Sequence, residues 1–189
     1  MAIISQNAKT WTAQRLSRIS LCVTLLAIRA RIRFPLPFSP VRFSLQTFVV
    51  LLISLLLSPK DAFATMASYV FLGLCGFPLF ITGGGPSYIL QPTFGYMLAF
   101  IFSAPLASWI ARRSSSRCYA LAACFIATIL ITFCGAAYFA LLNRFVLKTP
   151  VSWDRLVWMA LIYLPLDTAK MLIAILLHVP LKKALKPWL

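Results

Sequence analysis

An all-α polytopic membrane protein with six transmembrane helices and both termini in the cytoplasm is the fold this sequence predicts. Three observations lead there. The 189 residues are 61% hydrophobic and only 11% charged, with a mean hydropathy of +0.91, whereas soluble domains run near 45–50% apolar and about 25% charged. Six apolar runs can be counted, and at about 20 residues each they use roughly 120 residues, so no connector is long enough for an independent soluble domain. The 18 Lys and Arg, set against Asp61, Asp154 and Asp167, fall between those runs rather than along a soluble face. That distribution suits anionic headgroups and the positive-inside rule, and it excludes nucleic acid as a partner. A cytoplasmic enzyme, a secreted disulfide scaffold and a disordered tail are excluded as well; the lipid bilayer is the solvent.

The expected spans are 12–33, 43–58, 62–80, 92–111, 118–142 and 156–179, forming one domain over 1–189. The first carries Arg15, Arg18, Arg29, Arg31 and Arg33, which must snorkel to headgroups or face protein and water. Residues 19–28 do not read as a cleaved signal, because Arg29, Arg31 and Arg33 lead straight into another apolar run. The second span is short, with about 15 apolar residues. Between them, Pro35-Leu36-Pro37-Phe38-Ser39-Pro40 cannot continue a helix and predicts a stiff, extended hairpin. The connector over 81–91 is uncharged and contains Gly83-Gly84-Gly85-Pro86. Irregular backbone of that kind survives near a membrane only where protein or a wet cavity covers it.

Placing the N-terminus inside puts ten basic residues on the inner side and seven on the outer. The Pro-rich and Gly-rich connectors then share the outer face. The five cysteines form no C-x-x-C, and His178 is the only histidine, so no zinc site is expected and the thiols read as small packing residues. No repeat of 20–50 residues is evident.

Chemistry concentrates in the last span, at Tyr163-Leu164-Pro165-Leu166-Asp167-Thr168-Ala169-Lys170. An ionised Asp or Lys at the bilayer centre costs about 2.5–3.5 kcal/mol on the insertion scale. At i,i+3 the two share a helix face, so they can lock two helices as an internal salt bridge or jointly bind a polar ligand. Pro165 frees a carbonyl beside them. A second cluster, Thr82 to Tyr88 and then Gln91-Pro92-Thr93-Phe94-Gly95-Tyr96, combines a glycine triplet that permits close backbone approach with hydroxyls and aromatic surface. By itself it reads equally as a plain outer turn.

Taken in order, Phe34-Pro35-Leu36-Pro37-Phe38-Ser39-Pro40-Val41, Ser44-Leu45-Gln46-Thr47, Gly83-Gly84-Gly85, Pro92-Thr93, Gly95-Tyr96 and Asp167-x-x-Lys170 resemble the BioY family. Its members are the biotin-specific S components of energy-coupling factor (ECF) transporters. The resemblance covers about residues 20–185. It implies a bacterial multi-pass inner-membrane protein of six helices that captures biotin at the outer face and delivers it to the cytoplasm. The site residues it implies are Asp167 and Lys170 foremost, then Gln46, Gly85, Ser87, Tyr88, Thr93 and Tyr96. Asp167 can accept from a ureido N–H and Lys170 can donate to the ureido carbonyl. Tyr88 and Tyr96 suit the apolar ring and chain, and backbone N–H groups near Gly83–Gly85 or a basic residue of the Pro-rich connector suit the carboxylate. Three positions depart from the family: Arg42 replaces a usual proline, and Gln91 and Phe94 replace usual glycines. The family's first-helix A-x-x-x-A has Ser20-x-x-x-Thr24 as its counterpart.

No Walker A loop is present, so energy comes either from an ECF coupling subunit with ATPases or from a gradient. The second case would be a solitary or homo-oligomeric facilitator. A non-transporting membrane scaffold is the other class. An intramembrane serine protease would need Ser87 within reach of His178, which the topology opposes. No catalytic residue, metal or cofactor is expected; biotin is cargo.

Overall fold

In the computed structural model, residues 2–31, 33–34, 43–81, 83–114, 116–149 and 151–185 are described. Among them the chain forms six α-helices: α1 (Ala2–Arg31), α2 (Gln46–Leu56), α3 (Pro59–Leu74), α4 (Phe94–Ala111), α5 (Arg117–Phe145) and α6 (Trp153–Ala184). Each expected span therefore corresponds to one helix, with boundaries shifted at the ends. Residues 35–42 of the Pro-rich connector, with Arg42, lie outside the described residues, as does Thr82. The chain on either side of the prolines folds back on itself as expected: β1 (Arg33–Phe34) pairs antiparallel with β2 (Phe43–Ser44), in the register Arg33 to Ser44 and Phe34 to Phe43.

Helix starts follow local chemistry. Ser58 caps α3 by accepting from the Asp61 N–H at 3.2 Å, with Pro59 at the first helical position, where a missing N–H costs nothing. Ser116 caps α5 through the Cys118 N–H.

Helix α2 has 11 residues, or about 17 Å, too little to cross a bilayer alone. It is tolerated because the other helices surround it. Eight of its residues are buried, and Ser108 and Arg112 of α4 donate to the Leu57 and Leu56 carbonyls left over at its C-terminal end. The main apolar core lies around α2, α3 and α4, with Val50, Met66, Tyr69, Phe80 and Met97 fully or almost fully enclosed. α4, α5 and α6 contain stretches long and apolar enough to span a membrane. They carry an outward belt of exposed apolar side chains that includes Phe102, Phe133, Leu164 and Leu176. Such a belt is stable only against lipid, so the chain is a multi-pass membrane protein.

The ends of the bundle differ in chemistry. At one, Arg15 of α1 forms an ion pair with Asp61 of α3, close to where α2 gives way to α3. At the other, residues 75–81 and 83–93 fold over the helix ends as a cap containing a short 3-10 turn, Pro86–Leu90.

Candidate functional site

The cap is held from below by aromatic residues. Tyr69 of α3 donates to the Leu79 carbonyl at 3.0 Å and accepts from the Gln46 amide at 2.8 Å. Gln46 is the first residue of α2, so one phenol joins α2, α3 and the cap. The ring of Tyr69 meets Phe80 edge-on, Phe80 lies 4.4 Å from Tyr88, and contacts continue through Phe94 to Tyr138 of α5. Edge-on and tilted geometries are those aromatic quadrupoles favour. The Tyr88 hydroxyl shares a 3.0 Å hydrogen bond with Thr93, and Tyr138 donates to the Ile89 carbonyl.

Glycines allow this close approach. A Cβ on Gly73 would overlap the Phe80 ring, and one on Gly95 would overlap Tyr138. In the turn itself, Gly83 and Gly85 have φ of +128° and +110°, a region L side chains rarely enter. Their N–H groups donate to the Phe80 and Gly73 carbonyls at 3.3 and 2.8 Å. These two amides therefore serve the turn, rather than standing open to a ligand carboxylate.

On α6, the Lys170 ammonium lies 2.8 Å from the Asp167 carboxylate, with side chains 7% and 14% exposed. The i,i+3 pairing is the one the sequence predicts. Tyr96, in the first turn of α4, interacts electrostatically with Asp167 and with Tyr163, one turn earlier on α6. Asp167 is mid-way along α6, which is 32 residues long. Pro165 sits within the helix and leaves the Leu161 carbonyl without its usual N–H partner. A groove of about 520 Å³ between α5 and α6 also reaches Asp167, lined among others by Thr128, Thr132, Phe133, Leu164 and Met171.

The sequence-predicted residues fall into two groups separated by one helical turn of α4. Gln46, Gly85, Tyr88 and Thr93 belong to the cap and its support; Asp167 and Lys170 pair on α6, and Tyr96 of α4 interacts electrostatically with Asp167. Ser87 is exposed on the outside of the cap. His178 lies eleven residues beyond Asp167 on α6, about 16 Å further along the axis. Reading the sequence alone misses Tyr69, Phe80, Tyr138 and Gly135. Only Tyr163 carried a signal, its i−4 spacing from Asp167.

A model of the BioY family matches residues 5–187. The chain belongs to the BioY family. Among curated relatives of this BioY chain, the probable biotin transporter BioY of Lysinibacillus sphaericus is 33% identical over 138 residues, covering 72% of this chain and 69% of that one. The biotin transporter BioY of Thermotoga maritima is 34% identical over 110 residues, covering 58% and 64%. A crystal structure described as the S-component for biotin from an ECF-type ABC transporter superposes with a TM-score of 0.80 at 21% identity, covering 92% of this chain and 93% of that one. The six-helix S-component fold is therefore shared.

Proposed function

We propose that this protein is a biotin uptake transporter, the membrane-embedded substrate-binding component that captures biotin at the outer face and delivers it to the cytoplasm. Residues 1–189 act as one substrate-binding domain of a cell (inner) membrane protein, with both termini inside and the cap outside. The observation that carries this reading is the Asp167–Lys170 pair, held nearly dry beside Tyr96 in a member of the BioY family. A buried ion pair is often no more stabilising than apolar residues of similar volume, so stability alone is a poor reason to keep one in lipid. The ureido group of biotin supplies N–H donors for the carboxylate and a carbonyl for the ammonium, and its apolar ring suits the aromatic surface of Tyr88 and Tyr96.

Energy for inward delivery comes from partner subunits or from a gradient, because the sequence contains no Walker A loop. An ECF coupling subunit with its ATPases is the favoured partner. The face of α1 that carries Ser20 and Thr24 is exposed, and the Thr24 hydroxyl donates to the Ser20 carbonyl at 2.9 Å. That face is small and internally satisfied, a surface on which another helix can pack closely.

Titration of purified protein in mild detergent with labelled biotin tests the reading. Saturable binding is expected; its absence rejects a biotin carrier and favours a membrane scaffold. Pull-down from the same detergent separates a partnered component from a solitary or homo-oligomeric facilitator.

A further inference from the structure

Glycine inside a helix is less stable than alanine, yet Gly135 sits buried in the middle of α5. A Cβ there would overlap Cδ1, Cε1 and Cζ of the Tyr96 ring, so the bare backbone of α5 forms the seat on which that ring rests. Gly73 and Gly95 seat Phe80 and Tyr138 in the same way, but those rings support the cap. The ring on Gly135 is the one whose hydroxyl interacts electrostatically with Asp167 and Tyr163 on α6.

The geometry points to Gly135 as a positioning residue that sets the room available to a ligand beside Asp167 and Lys170, by letting Tyr96 lean back against α5. A methyl group at 135 must move either the helices or the ring. The helices resist, because α4 and α5 are already in contact one turn away, where Gly95 receives Tyr138 and the Tyr138 ring meets Phe94 at 5.9 Å. The ring yields instead, moving away from α5. Alanine at 135 therefore narrows the space next to the ion pair without touching either charge, while α5 itself gains helix propensity.

This inference rests on the biotin reading above, and a double-mutant cycle tests it separately. Labelled biotin is titrated into the wild type, Gly135→Ala, Tyr96→Leu and the double variant, each first checked for a cooperative melt. Gly135→Ala is expected to weaken biotin binding by about tenfold with Tyr96 present, and by less than about twofold in the Tyr96→Leu background, where no ring is left to displace. Desthiobiotin, which lacks the ring sulfur and is smaller, should lose less affinity than biotin on Gly135→Ala. No loss in Gly135→Ala, or equal losses in both backgrounds, overturns the inference. Should Tyr96→Leu alone bind too weakly to titrate, an unchanged biotin-to-desthiobiotin ratio overturns it. Absence of binding to the wild type overturns the functional reading and this inference together, whereas wild-type binding with equal losses overturns this inference alone.

Discussion

Tyr69 is the residue on which the cap most depends. Its hydroxyl accepts from Gln46 and donates to Leu79, so Tyr69→Phe removes one hydrogen bond from the buried Gln46 amide and one from the part-buried Leu79 carbonyl. Each such group costs about 1–3 kcal/mol when it finds no substitute. Tyr69→Phe should therefore lower stability by about 2 kcal/mol, measurable as a reduced melting temperature in detergent; an unchanged melt would remove Tyr69 from this role. Gly73→Ala strikes the same region by overlap with Phe80, and overpacking of this kind costs about 1–3 kcal/mol. The same melt reads it. Arg15→Ala makes a useful contrast: Arg15 is half exposed, so screening limits its pair with Asp61 to about 1 kcal/mol or less.

At the level of elements, the sequence reveals helix number and order because lipid imposes apolar runs of recognisable length. It also reveals the hairpin flanking the prolines. Helix ends and the short α2 are harder to read, since α2 ends where Ser108 and Arg112 of α4 meet its carbonyls, a contact 51 or more residues away. The site divides in the same manner. Asp167 and Lys170 are legible because charge in an apolar run is conspicuous and their spacing is local. Tyr69, Tyr138 and Gly135 are not, because each matters through a partner on another helix. Removing the long-range carbonyl contact with Ser108→Ala should cost about 1 kcal/mol, read as a lower melting temperature with biotin affinity unchanged. Lost affinity at constant melting temperature would contradict a purely structural role for Ser108.

For the whole molecule, the basic residues predict the orientation: with the N-terminus inside, ten fall on the inner side and seven on the outer. Two native cysteines report it. Cys75 follows α3 at the cap end and Cys118 begins α5 at the opposite end, and both are exposed. A membrane-impermeant maleimide should label Cys75 in intact cells and Cys118 only after permeabilisation, with Cys75→Ser and Cys118→Ser assigning the signals. The reverse pattern would invert the protein in the membrane and place the cap in the cytoplasm.

Whether Asp167 and Lys170 serve a ligand or merely each other is decided by exchanging them. Labelled-biotin affinity is compared for the wild type, Asp167→Ala, Lys170→Ala and the double exchange Asp167→Lys with Lys170→Asp. Each alanine variant should lose more than about 2 kcal/mol of binding, as expected for a charged hydrogen bond in a dry pocket. The exchanged pair keeps an i,i+3 salt bridge but presents the wrong charge at each position, so it should fold and fail to bind. Wild-type affinity in the exchanged protein would show that the pair only locks the helix face, and would contradict its role in holding biotin.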